Sequence, residues 1–272
     1  MPQIFDRKKL HLDKQRAFGL NEGEDFLFQK SASILYERLM LLNIWNNKSI
    51  NNKPHKPPGE KIKVLEVGAK HGILTHYLMK HFTDLIVTDT ATNLLARNPC
   101  QNQIIVDDEE LEFENLSYDL IVSSLNLHWI NNIHEFLKKI YCALRQNGYF
   151  LASFIAGGSL KSLRKLFIEL ELSLGLPCAP HISPFIKQED ITHLMQISGF
   201  SSCITDSEIF EIHYSNVKKL LYDLKNMGES NKLINQYGKP LSKKLYYNLM
   251  DCERNKNFIT EFEIIIVTGK KL

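Results

Sequence analysis

The sequence predicts an α/β fold built on a mostly parallel sheet, and three observations carry that expectation. Short apolar runs alternate with helical segments between residues 62 and 154. The first run ends in a glycine turn, Val64-Leu65-Glu66-Val67-Gly68-Ala69-Lys70-His71-Gly72. The second run ends in an acidic residue, Asp89, 21 positions after Gly68. Strands separated by helices of this length need crossover connections, and crossovers join parallel neighbours with helices on both faces.

In chain order, residues 7–17 collect Arg7, Lys8, Lys9, Lys14 and Arg16 among few apolar residues. This reads as a solvated arm or helix face, with an interaction arm as the alternative. Ile34, Leu35, Leu39, Leu41 and Leu42 mark a helix over 29–45. Pro54, Pro57, Pro58 and Gly59 among polar residues make 46–61 a connecting loop. Strands are then expected at 62–67, 85–88, 103–106, 119–124 and 148–154, the last after Asn147-Gly148, with helices at 72–81, 91–97 and 132–145. Beyond residue 155 the alternation loosens. Leu160, Leu163, Leu166, Phe167 and Leu170 form a helical stripe of the kind that packs into a core. A loop runs from Pro177 to Pro184, and a helix near 188–198 stops at Gly199. Strands at 202–212 and 260–268 enclose one or two further helices, and the all-apolar Ile264-Ile265-Ile266-Val267 suits a strand inside the sheet. The expected layout is an N-terminal helical arm and linker over 1–60 and an α/β domain over 61–272. Within that domain 156–200 and 213–258 are partly helical lid or insertion segments.

Composition narrows the function. The 272 residues are 44% hydrophobic and 24% charged, ordinary for a chain with a sizeable core. A net charge of +2 gives no global pull toward nucleic acid or membrane. Cys100, Cys142, Cys178, Cys203 and Cys252 form no CxxC, so reduced thiols are expected rather than a disulfide framework or zinc knuckle. No apolar run nears the roughly 20 residues that span a bilayer, and Met1–Arg7 lacks an apolar signal segment. A cytoplasmic protein is expected.

The glycine turn carries the candidate site. A strand that ends in such a turn lets a ligand approach the backbone and offers N–H groups where the next helix begins. Glu66, Gly68, Ala69 and Gly72 supply that turn. Asp89, beside Thr90, stands at the roughly 20-residue spacing of a carboxylate that holds a ribose hydroxyl pair, or is a helix cap. Asp107 and Asp108 follow the third strand at the sheet's carboxyl edge, as an adenine-amine acceptor or as part of a solvated acidic turn. Ser123, Asn126, His128 and Trp129 end the fourth strand and suit a pocket floor, with Leu125 among them a cofactor-binding candidate, although Trp129 reads equally well as core and His128 as a satisfied polar group.

Glu66-Val67-Gly68 through Gly72, Asp89, Asp107, Tyr118-Asp119-Leu120 and Arg145-Gln146-Asn147-Gly148 together resemble class I S-adenosylmethionine-dependent methyltransferases. The resemblance implies a Rossmann-like seven-stranded sheet with an antiparallel last strand, N-terminal helices and a helical insertion after the fifth strand. It also implies S-adenosyl-L-methionine as cofactor. Four further motifs, Ile4-Phe5-Asp6-Arg7, Ser123 to Trp129, His181-Ile182-Ser183-Pro184-Phe185 and Met227-Gly228-Glu229-Ser230-Asn231, are similar to the complex I assembly factor 5 family and its bacterial relatives. That family is a cousin of the malonyl-carrier-protein methyltransferases of biotin synthesis. This second resemblance implies a protein partner such as a complex I subunit, or an acyl-carrier-linked acid, no nucleic acid, and at most peripheral contact with the inner membrane.

Both resemblances leave three activities open: methyl transfer, hydroxylation of a complex I subunit arginine, or an assembly chaperone with a decayed site. They imply an Arg on an upstream helix that meets the cofactor carboxylate, and Arg38 is the candidate, with a surface ion pair as the alternative. His128 and His181 are the candidate catalytic bases. His128, His181 and Glu229 are metal-ligand types, but nothing in their spacing brings them together, so no metal is expected. One position departs from the family pattern. Lys70 replaces a glycine close to the methionine half of the cofactor, where its side chain clashes, folds outward, or pairs with the cofactor carboxylate.

Overall fold

The structure, a computed structural model, describes residues 3–17, 25–42, 44, 61–234, 241–251 and 256–272. The expected loop over 46–61, up to residue 60, lies outside the described residues, as does Cys252. The elements run α1 (Arg7–Arg16), α2 (Phe26–Leu42), β1 (Lys63–Val67), α3 (Ile73–Leu78), β2 (Asp84–Asp89), α4 (Thr92–Leu95), β3 (Gln103–Ile105), β4 (Tyr118–Ser124) and α5 (Ile133–Ala143). They continue as β5 (Leu144–Ile155), α6 (Lys161–Ser173), α7 (Gln188–Ile197), β6 (Ser202–Asn216), α8 (Val217–Asn226), α9 (Lys243–Leu249) and β7 (Lys256–Lys270).

The strands form one seven-stranded sheet in the order β3-β2-β1-β4-β5-β7-β6. β1 pairs in parallel with β2 and β4, β2 with β3, and β4 with β5. Val64, Leu65 and Val67 are all buried, so β1 has no solvated face, as a central parallel strand requires. In register, Leu65 lies between Ile86 and Ile121. β7 sits between β5 and β6, as its apolar run predicts. Asn147 donates its N–H to Lys271 at one end of the β5–β7 pair and Ala156 donates to Glu263 further along. Residue numbers rise in one strand as they fall in the other, so β7 is antiparallel.

β5 starts at Leu144, not after Asn147-Gly148 as expected. Tyr118 pairs with Leu144 but Leu120 with Tyr149, so residues 145–148 form an irregularity inside the strand. Asn147, at φ +64°, supplies the left-handed step. Helix starts follow capping chemistry: the side chains of Asp6, Asn132, Asn216 and Ser242 accept N–H bonds from the first turns of α1, α5, α8 and α9.

The chain divides into two compact units, Met1–Asp25, Ile155–Lys187 and Glu208–Ile264 forming the first and Phe26–Phe154, Gln188–Ser207 and Ile265–Leu272 the second. This partition differs from the sequence layout, because α2 belongs with the parallel sheet rather than with an N-terminal arm. α2 buries Leu27, Phe28, Ser31, Ala32, Leu35 and Leu39 and leaves Leu41 78% exposed, so its inner face is rotated from the predicted stripe. The basic stretch is a helix, α1, in line with the helix-face reading, and leaves Lys8 and Arg16 exposed. It also buries Leu10 and Lys14. No helix of the described residues is long and apolar enough to cross a membrane.

In the second unit, the α5 carboxyl end is closed by a distant lysine. Lys271 Nζ donates to the carbonyls of Tyr141 at 2.7 Å and Leu144 at 2.8 Å. A cation there opposes the negative end of the helix dipole and satisfies carbonyls that the helix leaves open. Burial lowers the lysine's pKa from its ordinary value, with Cys142 acting weakly the other way. Lys271→Met is expected to cost about 2 kcal/mol, the order of a lost bond set to buried acceptors. Urea melts of the two proteins would measure it.

Candidate functional site

β1 and β4 are neighbours from which the chain departs in opposite directions, toward β2 on one side and β5 on the other. Such a switch point opens a crevice at the strands' carboxyl ends, where α/β proteins hold ligands. The Gly68–Gly72 turn occupies it. Gly68 has φ +70° and Gly72 φ +93°, both in the left-handed region that favours glycine. A Cβ on Gly68 would stand 2.3 Å from Asn126 Cγ, and one on Gly72 2.5 Å from Pro99 Cδ. Ala69 N–H donates to the Thr88 carbonyl at 2.8 Å, which ties the turn to β2.

Glu66, at the end of β1, is 1% exposed. Thr75 Oγ1 donates to its Oε2 at 2.6 Å. Burial pushes its pKa up to about 8, against the Thr75 bond and with help from the Asp89 charge. At neutral pH the folded protein therefore holds Glu66 mostly as the acid, while the unfolded chain ionises it. The contribution to stability is complete below the ordinary carboxylate range and is lost as pH rises toward 8. Glu66→Gln, neutral at every pH, is expected to flatten the fall in stability between about pH 5 and pH 8. Denaturant melts of both proteins across that window would show it, and parallel curves would contradict it.

Lys70 is the unexpected member. Its backbone has φ +52°, the conformation a glycine adopts without strain, yet its side chain is folded inward and the residue is 8% exposed. Nζ donates to the Leu125 carbonyl at 3.0 Å and lies 3.8 Å from the centroid of the Phe28 ring. In this structure the side chain is therefore folded inward. Phe28, Glu66, Gly68, Lys70, Leu74 and Ser124 are among the residues lining a residual cavity of about 20 Å³. That is room for about one water molecule.

The acidic candidates are placed at the same sheet edge but engaged locally. Asp89 is fully buried. Its Oδ2 accepts the Lys70 N–H at 3.1 Å and its Oδ1 the Ala91 N–H at 2.9 Å. Thr90, beside it, is 8% exposed. Asp107 accepts the Glu109 N–H at 2.9 Å, an Asx turn. Asp108 is buried and accepts from Asn126 Nδ2 at 2.9 Å. Ser123 Oγ donates to the Val67 carbonyl at 2.9 Å, and Leu125 takes φ +46°. Arg38 is ion-paired with Asp206 and does not line the cavity. Phe28 and Thr75 escaped the sequence reading. Phe28 was findable as the residue one turn before Ser31 and Ala32 on the buried face of α2.

The two candidate bases fall in different units. His128, in the second, is 4% exposed with its ring centroid 4.9 Å from that of Trp129, itself a core residue at 1%. His181, in the first, contacts Glu171 Oε1 through Nε2 at 2.7 Å and stacks on Phe167 at 4.3 Å. Together with Ser183, Glu229 and Asn231 it lines a separate cavity of about 120 Å³. The motifs that meet there are bonded to each other: Ser183 Oγ donates to Asn231 Oδ1 at 2.8 Å, and Asn231 Nδ2 to the Pro180 carbonyl at 2.9 Å. Among the described residues no three or more His, Cys, Asp or Glu side chains are grouped as a metal ion would need.

Comparison with known proteins agrees with this geometry. A family model described as "Methyltransferase domain" matches residues 41–203. The chain is 40% identical over 202 residues to a Rickettsia prowazekii protein named "Putative methyltransferase RP459", covering 74% of this chain and 87% of that protein. It is 34% identical over 173 residues to the mouse mitochondrial arginine-hydroxylase NDUFAF5, covering 61% of this chain and 50% of that relative. Among solved structures, the YcgJ protein of Bacillus subtilis shares the fold with a TM-score of 0.53 at 12% identity, over 86% of this chain and 98% of that one. The turn at the switch point, the seven-stranded sheet and these matches agree: the chain belongs to the methyltransferase domain family.

Proposed function

We propose that this chain binds S-adenosylmethionine at the Gly68–Gly72 turn and is a methyltransferase, or descends closely from one. The observation that carries the reading is the placement of that turn at the β1/β4 switch point in a chain of this family. The residues fit such a ligand in kind. Two positive-φ glycines keep the backbone open to close approach, and Asp89 and Asp107 stand at the ends of β2 and β3. They would hold it with Ala69, Thr90, Asp108, Ser123 and Leu125. The space is filled by the Lys70 side chain, which has to move. Arg38 would have to leave Asp206 to reach the same ligand.

When bound, S-adenosylmethionine supplies a methyl group on a positively charged sulfur. The chain's own part is placement, since methyl transfer gains most from proximity and alignment. His128 is the candidate base within the same unit as the turn. The acceptor in this reading is a protein or a small carboxylate, including an acyl-carrier-linked acid. Incubation with S-adenosylmethionine and candidate acceptors should release S-adenosylhomocysteine. No release with any acceptor, from protein that binds the cofactor, would remove methyl transfer from the account.

A second reading is favoured by the similarity to arginine-hydroxylase NDUFAF5. The chain spans about half of that relative's length, so its activity comes here as a proposal. It predicts one oxygen atom of dioxygen added to an arginine of a partner, such as a complex I subunit, without S-adenosylhomocysteine formation. The other oxygen atom is reduced to water by a two-electron donor supplied from outside the chain. Mass spectrometry of that subunit from a strain lacking this chain separates the two readings. A non-catalytic assembly role predicts partner binding that survives Asp89→Ala.

A further inference from the structure

We propose that Lys70 is a built-in occupant of the site: its ammonium fills the recess between the Phe28 ring and the Leu125 carbonyl, and the cofactor reaches the turn only by displacing it. This rests on the reading of the turn as the S-adenosylmethionine site. A lysine stem ordinarily keeps its ammonium in water. Here the residue is 8% exposed, in a backbone conformation that disfavours any side chain. Contacts that suit a cation hold it inward. The carbonyl of Leu125 accepts from Nζ at 3.0 Å, and the face of the Phe28 ring attracts the charge at 3.8 Å.

The occupant is removable without unmaking the turn. Lys70 meets Asp89 through its backbone N–H, and Ala69 meets Thr88 through its own, so neither bond uses the lysine side chain. With the stem inside, the space left beside it is about 20 Å³, room for about one water molecule. Two states follow, closed with the ammonium seated and open with it in solvent. A ligand that binds only the open state has its apparent affinity reduced by the open fraction. The loop thus sets a threshold on cofactor binding that a glycine would not impose. The effect is confined to a ligand that needs the recess, and adenosine, which lacks the amino-acid half, serves as the comparison.

Equilibrium binding of S-adenosylhomocysteine and of adenosine to the native chain and to Lys70→Gly tests this. The expected result is S-adenosylhomocysteine binding at least about tenfold tighter to Lys70→Gly, with adenosine changed less than about twofold. Equal affinity of both proteins for S-adenosylhomocysteine would overturn the occupancy of the recess and leave the cofactor reading standing. No binding to either folded protein at millimolar ligand would overturn both. Should Lys70→Gly fail to fold, amine labelling of the native chain decides instead. Lys70 should label more slowly than the exposed Lys165 and faster once S-adenosylhomocysteine is added; labelling at the Lys165 rate without ligand would overturn the proposal.

Discussion

Replacing Gly68 with alanine is expected to lower stability by about 3 kcal/mol and to abolish cofactor binding. Two costs add. An L residue held at φ +70° loses roughly 1–2 kcal/mol against glycine. Overlap of the new methyl with Asn126, 2.3 Å away, adds roughly 1–3 kcal/mol. Asn126 has no free path of retreat, since it is fully buried and its Nδ2 holds Asp108 at 2.9 Å. For a chain of this size the loss corresponds to a fall in Tm of roughly 10 °C. Because the two costs have separate causes, they can be separated. Gly68→Ala combined with Asn126→Gly should recover the overlap share and keep the backbone share. Full recovery would show that the left-handed conformation at residue 68 carries no cost.

Lys232→Met is expected to have a comparable or larger effect, in the first unit. Lys232 is fully buried, 2.6 Å from Asp13 Oδ2, and donates to the carbonyls of Gly228 at 2.9 Å and Ser230 at 2.7 Å. Burial lowers its pKa from the ordinary lysine value, while Asp13 raises it and holds the charged form in place. Methionine fills the space but leaves Asp13 facing it as a buried carboxylate. Breaking one side of such a pair costs about 3–5 kcal/mol. Arg16, 3.7 Å from Asp13, offers a second partner and favours the lower end. Hydrogen exchange should then quicken in α1 and around residues 228–234, where Asp6 N–H donates to the Lys232 carbonyl and Ile234 N–H to that of Ile4. Adding Asp13→Leu should restore most of the loss. If the double variant is no more stable than Lys232→Met, the stranded carboxylate is not the cause.

The parts of this fold that were legible in the sequence are those where one physical rule acts alone. β1, β2 and β4 are short, apolar on both faces and separated by helices, so burial fixed them to within a residue or two. Ile264 to Val267 foretold an interior strand for the same reason. The Gly68 and Gly72 turn was legible because its backbone is one that glycine favours. Positions governed by a partner far along the chain were not. Nothing near Arg38 announces Asp206, and nothing near Lys70 announces the Phe28 ring and the Leu125 carbonyl. Lys14 looked like a member of a solvated basic run, and only packing of α1 buries it. The position of Asp89 in the sequence suits both a ligand-binding spacing and a helix cap. Its carboxylate binds the backbone of Lys70 and Ala91, so it serves the local chain now and meets a ribose only by sharing those bonds.

In the reading proposed above, the Gly68–Gly72 turn is the cofactor site and Lys70 its resident occupant. A crystal structure of Lys70→Gly grown with S-adenosylhomocysteine tests it most directly. The ligand is expected across the carboxyl ends of β1, β2 and β4, with its amino-acid half against Gly68 and Phe28 in the space the lysine side chain leaves. A bare turn at millimolar ligand, or the ligand seated instead in the cavity lined by His181 and Glu229, would contradict that reading.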